Sequence, residues 1–130
     1  MNIEGKQKKY DLEERLIDFA VLILEVGESL SNTRAGSHIG GQIIRSGSSP
    51  ALNYGEAQSA ESRNDFVHKF KIILKELRET NVSLKIIKRK PLTKKTELTD
   101  KAMKECNELI SIFVKSIETA NRNKLKASEF

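Results

Sequence analysis

Apolar residues recur at alternating intervals of four and three from residue 12 to residue 30: Leu12, Leu16, Phe19, Ile23, Val26 and Leu30. A strand alternates every second residue, so this spacing predicts a helix with one buried seam. Ser31, Asn32 and Thr33 offer N-cap oxygens for a second helix, which places the end of the first near Ser31. The rhythm returns in Phe66, Phe70, Ile73, Leu77, Thr80, Leu84 and Ile87. Ser62 followed by Asp65 resembles a capping box at the start of that helix. Pro91 is expected to push residue 90 into an extended conformation and so end it. Residues 91–98 read as a linker or a ragged helix start. Met103, Cys106, Ile110, Phe113, Ile117 and Ala120 set the seam of a last helix. The polar tail 121–130 is expected to fray, and residues 1–10 to form a loose basic arm.

The segment 33–61 is less regular. Five of the 7 glycines fall in it, Gly36, Gly40, Gly41, Gly47 and Gly55. Ala35, Ile39 and Ile43 keep helical spacing, as do Gly47, Ala51, Gly55 and Ser59. Each glycine costs a helix about 1 kcal/mol relative to alanine, so the expected gain is close approach of another backbone. Leucine at Gly40 or Gly41 should then clash. Ser46-Gly47-Ser48-Ser49-Pro50 marks a local break, and Pro50 suits the first turn of a restarted helix. One kinked helix, or two collinear halves, is expected; a loop over 46–49 is the alternative.

No segment has a β period. The expected fold is all-α: an antiparallel up-and-down four-helix bundle, 1–130 being a single domain. The low count of Pro, 2, argues against a many-turned β sandwich or barrel. Hydrophobic residues make up 38% and aromatics 5%, with no Trp, enough for one lean core. The longest apolar run, Phe19 to Leu24, is too short to span a bilayer. Asp11, Glu13 and Glu14 precede it, unlike a signal peptide. A single Cys excludes a disulfide within the chain and fits a reducing compartment, so a cytoplasmic location with no membrane partner is expected.

Charge adds a second layer. Ile17, Ala20, Val21 and Leu24 form a second apolar stripe beside the first helix's seam, which suggests a subunit interface unless that helix is simply the most enclosed one. The same helix carries Asp11, Glu14, Asp18, Glu25 and Glu28 at heptad spacing, with Val21 in the gap. The third helix answers with Lys71, Lys75, Arg78, Lys85 and Arg89, with Val82 in the gap, and Lys88, Lys90, Lys94 and Lys95 extend the row. Three readings stay open: a face that follows a phosphate backbone of RNA or DNA, a contact between stripes of neighbouring subunits, or two solvated faces. The nucleic-acid candidates are Lys71, Lys75, Arg78, Lys85, Lys88 and Arg89. No exposed aromatics interleave with them, which disfavours base stacking.

Catalytic chemistry is thin. The two histidines, His38 and His68, have no paired-His metal spacing, and Cys106 on an apolar seam reads as a core residue. Asp65 and His68 could meet on a helix face, but a surface hydrogen bond is the expected use. Gly36-Ser37-His38-Ile39-Gly40-Gly41 lacks a preceding strand and a P-loop Lys-Ser/Thr. No catalytic residues, cofactor or metal are expected, and the chain is read as a non-enzyme.

Several blocks are nonetheless distinctive: Tyr10-Asp11-Leu12-Glu13-Glu14-Arg15-Leu16, Thr33-Arg34-Ala35-Gly36, His38-Ile39, Gly41-Gln42, Arg45-Ser46-Gly47, Asn53-Tyr54-Gly55-Glu56-Ala57, Ala60-Glu61-Ser62-Arg63 and Asp65-Phe66 followed by His68-Lys69. They resemble the bacterial four-helix bundle proteins encoded within 23S rRNA intervening sequences, over roughly residues 10–120. Similar proteins include the accessory variability protein of diversity-generating retroelements. The resemblance implies a homo-oligomeric ring of five bundles, a basic surface that engages nucleic acid, and a reverse transcriptase as partner. It carries no established activity. Ser49-Pro50 departs from the family pattern. The motif residues Arg34, Arg45, Asn53, Glu56, Glu61, Asp65, His68 and Lys69 are expected to serve an inter-subunit network. The overall expectation is a non-enzymatic accessory or scaffold protein binding nucleic-acid backbone; the alternative is a protein–protein adaptor whose charge stripes serve self-assembly.

Overall fold

The computed structural model describes residues 12–128, with side chains through Asn123. The basic arm, Tyr10-Asp11 and the last two residues lie outside the described residues. Four helices follow in order: α1 Leu12–Glu28, α2 Arg34–Gln58, α3 Arg63–Arg89 and α4 Thr96–Ser128. The described residues contain no strand. Each helix packs on the next, α4 closes against α1, and α1 and α3 stand on the diagonal. The connections are short, 29–33, 59–62 and 90–95, so neighbours run antiparallel. The protein is an all-α four-helix bundle.

The first and third seams bury as their spacing predicts. Leu16, Phe19, Ile23 and Val26 of α1 face Phe70, Ile73, Leu77, Leu84 and Ile87 of α3 across one core. The last helix is rotated from its expected seam. Cys106 and Phe113 are buried, but Ala102 and Leu109 fill the intervening positions, and Met103 and Ile110 lie half-buried at the edge. Both sets are apolar at heptad spacing, so the pattern alone did not choose between them. Helix α4 also continues past Asn121 to Ser128.

The boundaries have identifiable chemistry. Thr33 Oγ1 accepts from Gly36 N at 3.0 Å, and Ser62 Oγ accepts from Asp65 N at 3.1 Å, the two N-caps. Helix α3 stops where Pro91 has no N–H for Ile87 O; Leu92 N takes that carbonyl instead at 3.0 Å. Lys90 is not extended, as the rule for residues before proline suggested, but sits at φ −86°, ψ 0° as the C-cap. The loops at that end are tied together. Ser31 N donates to Leu92 O at 2.8 Å, and the Ser29 and Thr93 hydroxyls lie 2.9 Å apart.

Helix α2 is continuous through Pro50, which overturns the alternative of a loop over 46–49. Pro50 removes the N–H that would bond Ser46 O. At the same turn Asn53 Nδ2 donates to Ser49 O at 3.0 Å and Ser49 Oγ at 2.9 Å. The glycines divide into two groups. A Cβ on Gly47 would overlap Ile23 Cγ2 and lie 2.7 Å from Ile23 Cβ; one on Gly27 of α1 would lie 2.6 Å from Ile44 Cγ1. So α1 and α2 exchange isoleucine knobs into glycine holes. Gly41 and Gly55 face open space, and a Cβ on Gly40 would make ordinary contacts, at 3.5 Å to Gly27 O and 3.7 Å to Leu30 Cδ1. The expected clash is therefore absent at Gly41; at Gly40, buried beside the α1 backbone, there is room for a first carbon only, and the tightest approaches are at Gly36, under Ser31 O, and at Gly47.

One polar pair lies inside this core. Thr80 Oγ1 is 2.8 Å from both Ser46 Oγ and Glu76 O, and both residues are buried. Thr80→Val leaves the Ser46 hydroxyl with a long bond of 3.4 Å to Ile43 O. It should cost about 1–3 kcal/mol in urea unfolding, the range for an orphaned buried polar group. The double variant Thr80→Val with Ser46→Ala should recover most of that loss. A double variant as weak as the single one would show that the two hydroxyls are not a coupled pair.

Candidate nucleic-acid interface

The candidate face follows from the core face of α3. Phe70, Ile73, Leu77, Thr80, Leu84 and Ile87 point inward, so a row set one or two positions along the helix, at 71, 75, 78, 82, 85 and 89, falls on the outer side. Lys71, Lys75, Arg78, Lys85 and Arg89 are all exposed there, around Val82 at 55% exposure. Over 18 residues the row runs about 27 Å. None of the five makes an ion pair or side-chain hydrogen bond among the described residues. Lys88, the sixth candidate, differs: its Nζ lies 2.7 Å from Asp100 Oδ1 of α4.

Beside the row, α2 and α3 bound an open groove of about 760 Å³. Ile39, Leu74, Val82 and Ile86 supply its apolar surface, and Lys71, Lys75 and Arg78 line one wall. Sequence reasoning did not place Ile39, Leu74 and Ile86 on this face. Ile86 is 42% exposed and belongs to no seam, which was the available signal.

The motif residues are scattered rather than gathered. Arg45 bridges from α2 to α3, Nη1 to Glu76 at 3.0 Å and Nη2 to Glu79 at 2.8 Å. Those bonds hold its guanidinium pKa above the ordinary value, the Glu79 hydrogen bond contributing most. Glu56 and Lys69 pair across the same two helices at 3.1 Å. Asn53 bonds within its own helix, and Asp65 gives its backbone N–H to the Ser62 cap. Arg34, Glu61 and His68 are exposed, and no hydrogen bond joins Asp65 to His68. The visible work of Arg45, Glu56 and Lys69 is to clamp α2 to α3 within one chain.

A second clamp, also unforeseen, joins α1 to α4. Arg15 Nε and Nη2 donate to the two Glu105 carboxylate oxygens at 2.8 Å each, and Nη2 also reaches Glu108 at 2.8 Å. This bidentate geometry raises the Arg15 pKa, first through the Glu105 hydrogen bond. Arg15 was conspicuous in the sequence as the lone base in an acidic helix. Its neighbours Glu14, Asp18, Glu25 and Glu28 are exposed and form no ion pair among the described residues. Among the described residues no group of three or more His, Cys, Asp or Glu could hold a metal, and no helix is long and apolar enough to cross a membrane.

A four-helix bundle whose described residues set a basic ridge along α3 defines a class of small helical proteins. The family model described as 23S rRNA-intervening sequence protein matches residues 8–115, and the chain belongs to that family. A crystal structure of a protein with unknown function from the S23 ribosomal protein family of Bacteroides thetaiotaomicron VPI-5482 is similar in fold and sequence. Its TM-score is 0.73 at 30% identity, over 81% of this chain and 96% of that one. No curated protein matches the chain.

Proposed function

We propose that this chain is a non-enzymatic accessory or scaffold protein of the bacterial cytoplasm that assembles with copies of itself and grips nucleic-acid backbone through α3. The observation that carries the reading is the alignment of five cations. Arg15, Arg45, Lys69 and Lys88 each hold a carboxylate; of the cations that hold none among the described residues, Lys71, Lys75, Arg78, Lys85 and Arg89 share one ridge. Free cations spaced along about 27 Å suit a chain of phosphates. The resemblance to the accessory variability protein supports a ring of five subunits and a reverse transcriptase as partner. A ring would repeat the ridge and raise a weak contact by avidity.

Labelled RNA and DNA duplexes should bind with little regard to sequence, because backbone contacts carry no base information. Replacing Lys75, Arg78 and Lys85 with Gln should weaken binding at low salt. It should also flatten the log–log salt dependence by about 0.9 for each phosphate left without its cation. Anisotropy at two salt concentrations measures both. No binding at about 50 mM salt would retire this reading, since that is where the electrostatic contribution is large. The second reading, an adaptor whose charge rows serve self-assembly, is favoured by the apolar groove beside the ridge, for which a phosphate chain has no use.

A further inference from the structure

The outer face of α1 and the groove between α2 and α3 have matching anatomies. On α1, Ile17, Val21 and Leu24 form an apolar row that no helix of the chain covers, at 40%, 49% and 37% exposure. One edge of that row is the acidic line Glu14, Asp18, Glu25 and Glu28. In the groove, Ile39, Val82 and Ile86 are apolar, and one edge is the basic line Lys71, Lys75 and Arg78. The acidic line spans about 21 Å and the groove about 22 Å along the helix axes. Each surface has what the other lacks: a convex apolar row beside carboxylates that form no ion pair among the described residues, and a concave apolar strip beside cations that form none, the Arg45–Glu79 pair closing its other side.

We infer that the groove of one copy receives α1 of a second copy, Ile17, Val21 and Leu24 settling on Val82 and Ile86 while the acidic edge meets Lys71, Lys75 and Arg78. The occupant follows from the charges. Packing α1 on α1 would bring the two acidic lines together, and packing groove on groove would do the same for the cations. Pairing α1 with the groove removes both repulsions and covers both apolar surfaces. The two surfaces lie on diagonal helices, so the contact is head-to-tail and every copy keeps one of each surface free for the next. The inference rests on the self-association part of the function proposed above; it takes Lys71, Lys75 and Arg78 into the subunit contact and leaves Lys85 and Arg89, which do not line the groove, as the part of the ridge still open to phosphates.

The test uses the double variant Val21→Cys with Val82→Cys, treated with a short bis-maleimide and resolved on a denaturing gel, beside a sizing column. Both valines are exposed, and the native Cys106 is fully buried, so wild type is the unreactive control. The double variant should give a ladder of covalent multimers, at least about tenfold more product than either single variant. A dimer from Val21→Cys alone would overturn the inference in favour of α1 on α1. An oligomer on the column with no ladder would also overturn it, leaving self-association standing through another face. A monomer at 100 μM or so would bring down the inference and the self-association reading together.

Discussion

Gly47→Ala is expected to destabilise the chain by about 1–3 kcal/mol, although alanine is the better helix former by about 1 kcal/mol. The reason is the knob of Ile23. The new Cβ would overlap Ile23 Cγ2 and stand 2.7 Å from Ile23 Cβ, an atom fixed to the α1 backbone that cannot swing aside. Relief requires α1 and α2 to move apart, and that loosens the packing of Ile23, Ile43 and Ser46 around them. The same substitution at Gly41 or Gly55, where no atom stands within 4 Å, should stabilise by up to about 1 kcal/mol. Urea unfolding of the three variants measures the contrast. If Gly47→Ala unfolds at the same urea concentration as Gly41→Ala, the two helices are not held at glycine distance.

The second large effect is expected at alkaline pH. Burial pushes the Cys106 thiol up to about 12, from the ordinary value of 9.0, and the charge of Glu105 adds to the rise. The Sγ donates to Leu77 O at 3.2 Å, which also favours the protonated form. A raised folded-state pKa contributes stability that is present in full below pH 9. It is lost as pH climbs from about 9 to about 12, because the unfolded chain releases a proton that the folded chain must keep. At about 1.4 kcal/mol for each tenfold change, the loss is roughly 4 kcal/mol across that window. Tyr54 shifts upward as well, mainly through burial, so the readout is the difference between wild type and Cys106→Ser. The variant should lack most of the alkaline decline. Parallel stability curves for the two proteins between pH 8 and 11 would refute it.

The seams of α1 and α3 were legible because their rows keep the four-three spacing without a break over the whole helix, and they are the rows that bury even though α1 carries a second apolar row, Ile17, Val21 and Leu24, that stays outside. In α4 two apolar rows compete, Met103 and Ile110 against Ala102 and Leu109, and only the packing partner chooses. In α2 the informative residues are Gly and Ser, whose small side chains carry no hydrophobic period. Gly47 and Gly41 read alike in sequence and differ because Ile23 stands over one and nothing stands over the other. The basic ridge was visible as spacing within one helix. Its freedom from carboxylates was not, since Arg45 finds Glu76 from 31 residues away and Lys88 finds Asp100 on another helix.

The diagonal placement of α1 and α3 has an electrical consequence. Four antiparallel helices set their backbone dipoles against one another, so little field remains along the bundle axis. Among the described residues the charge that remains is transverse: Glu14, Asp18, Glu25 and Glu28 on α1 and the basic ridge of α3 form no ion pairs and stand on diagonal helices, a separation perpendicular to the long axis that Lys94, Lys95, Lys101 and Lys104 beside the acidic line only partly offset. Two copies diffusing within a Debye length exert a torque on each other, and it turns the negative corner of one toward the positive corner of the other. Added salt should remove that torque and slow encounter between copies before it alters any interface already made.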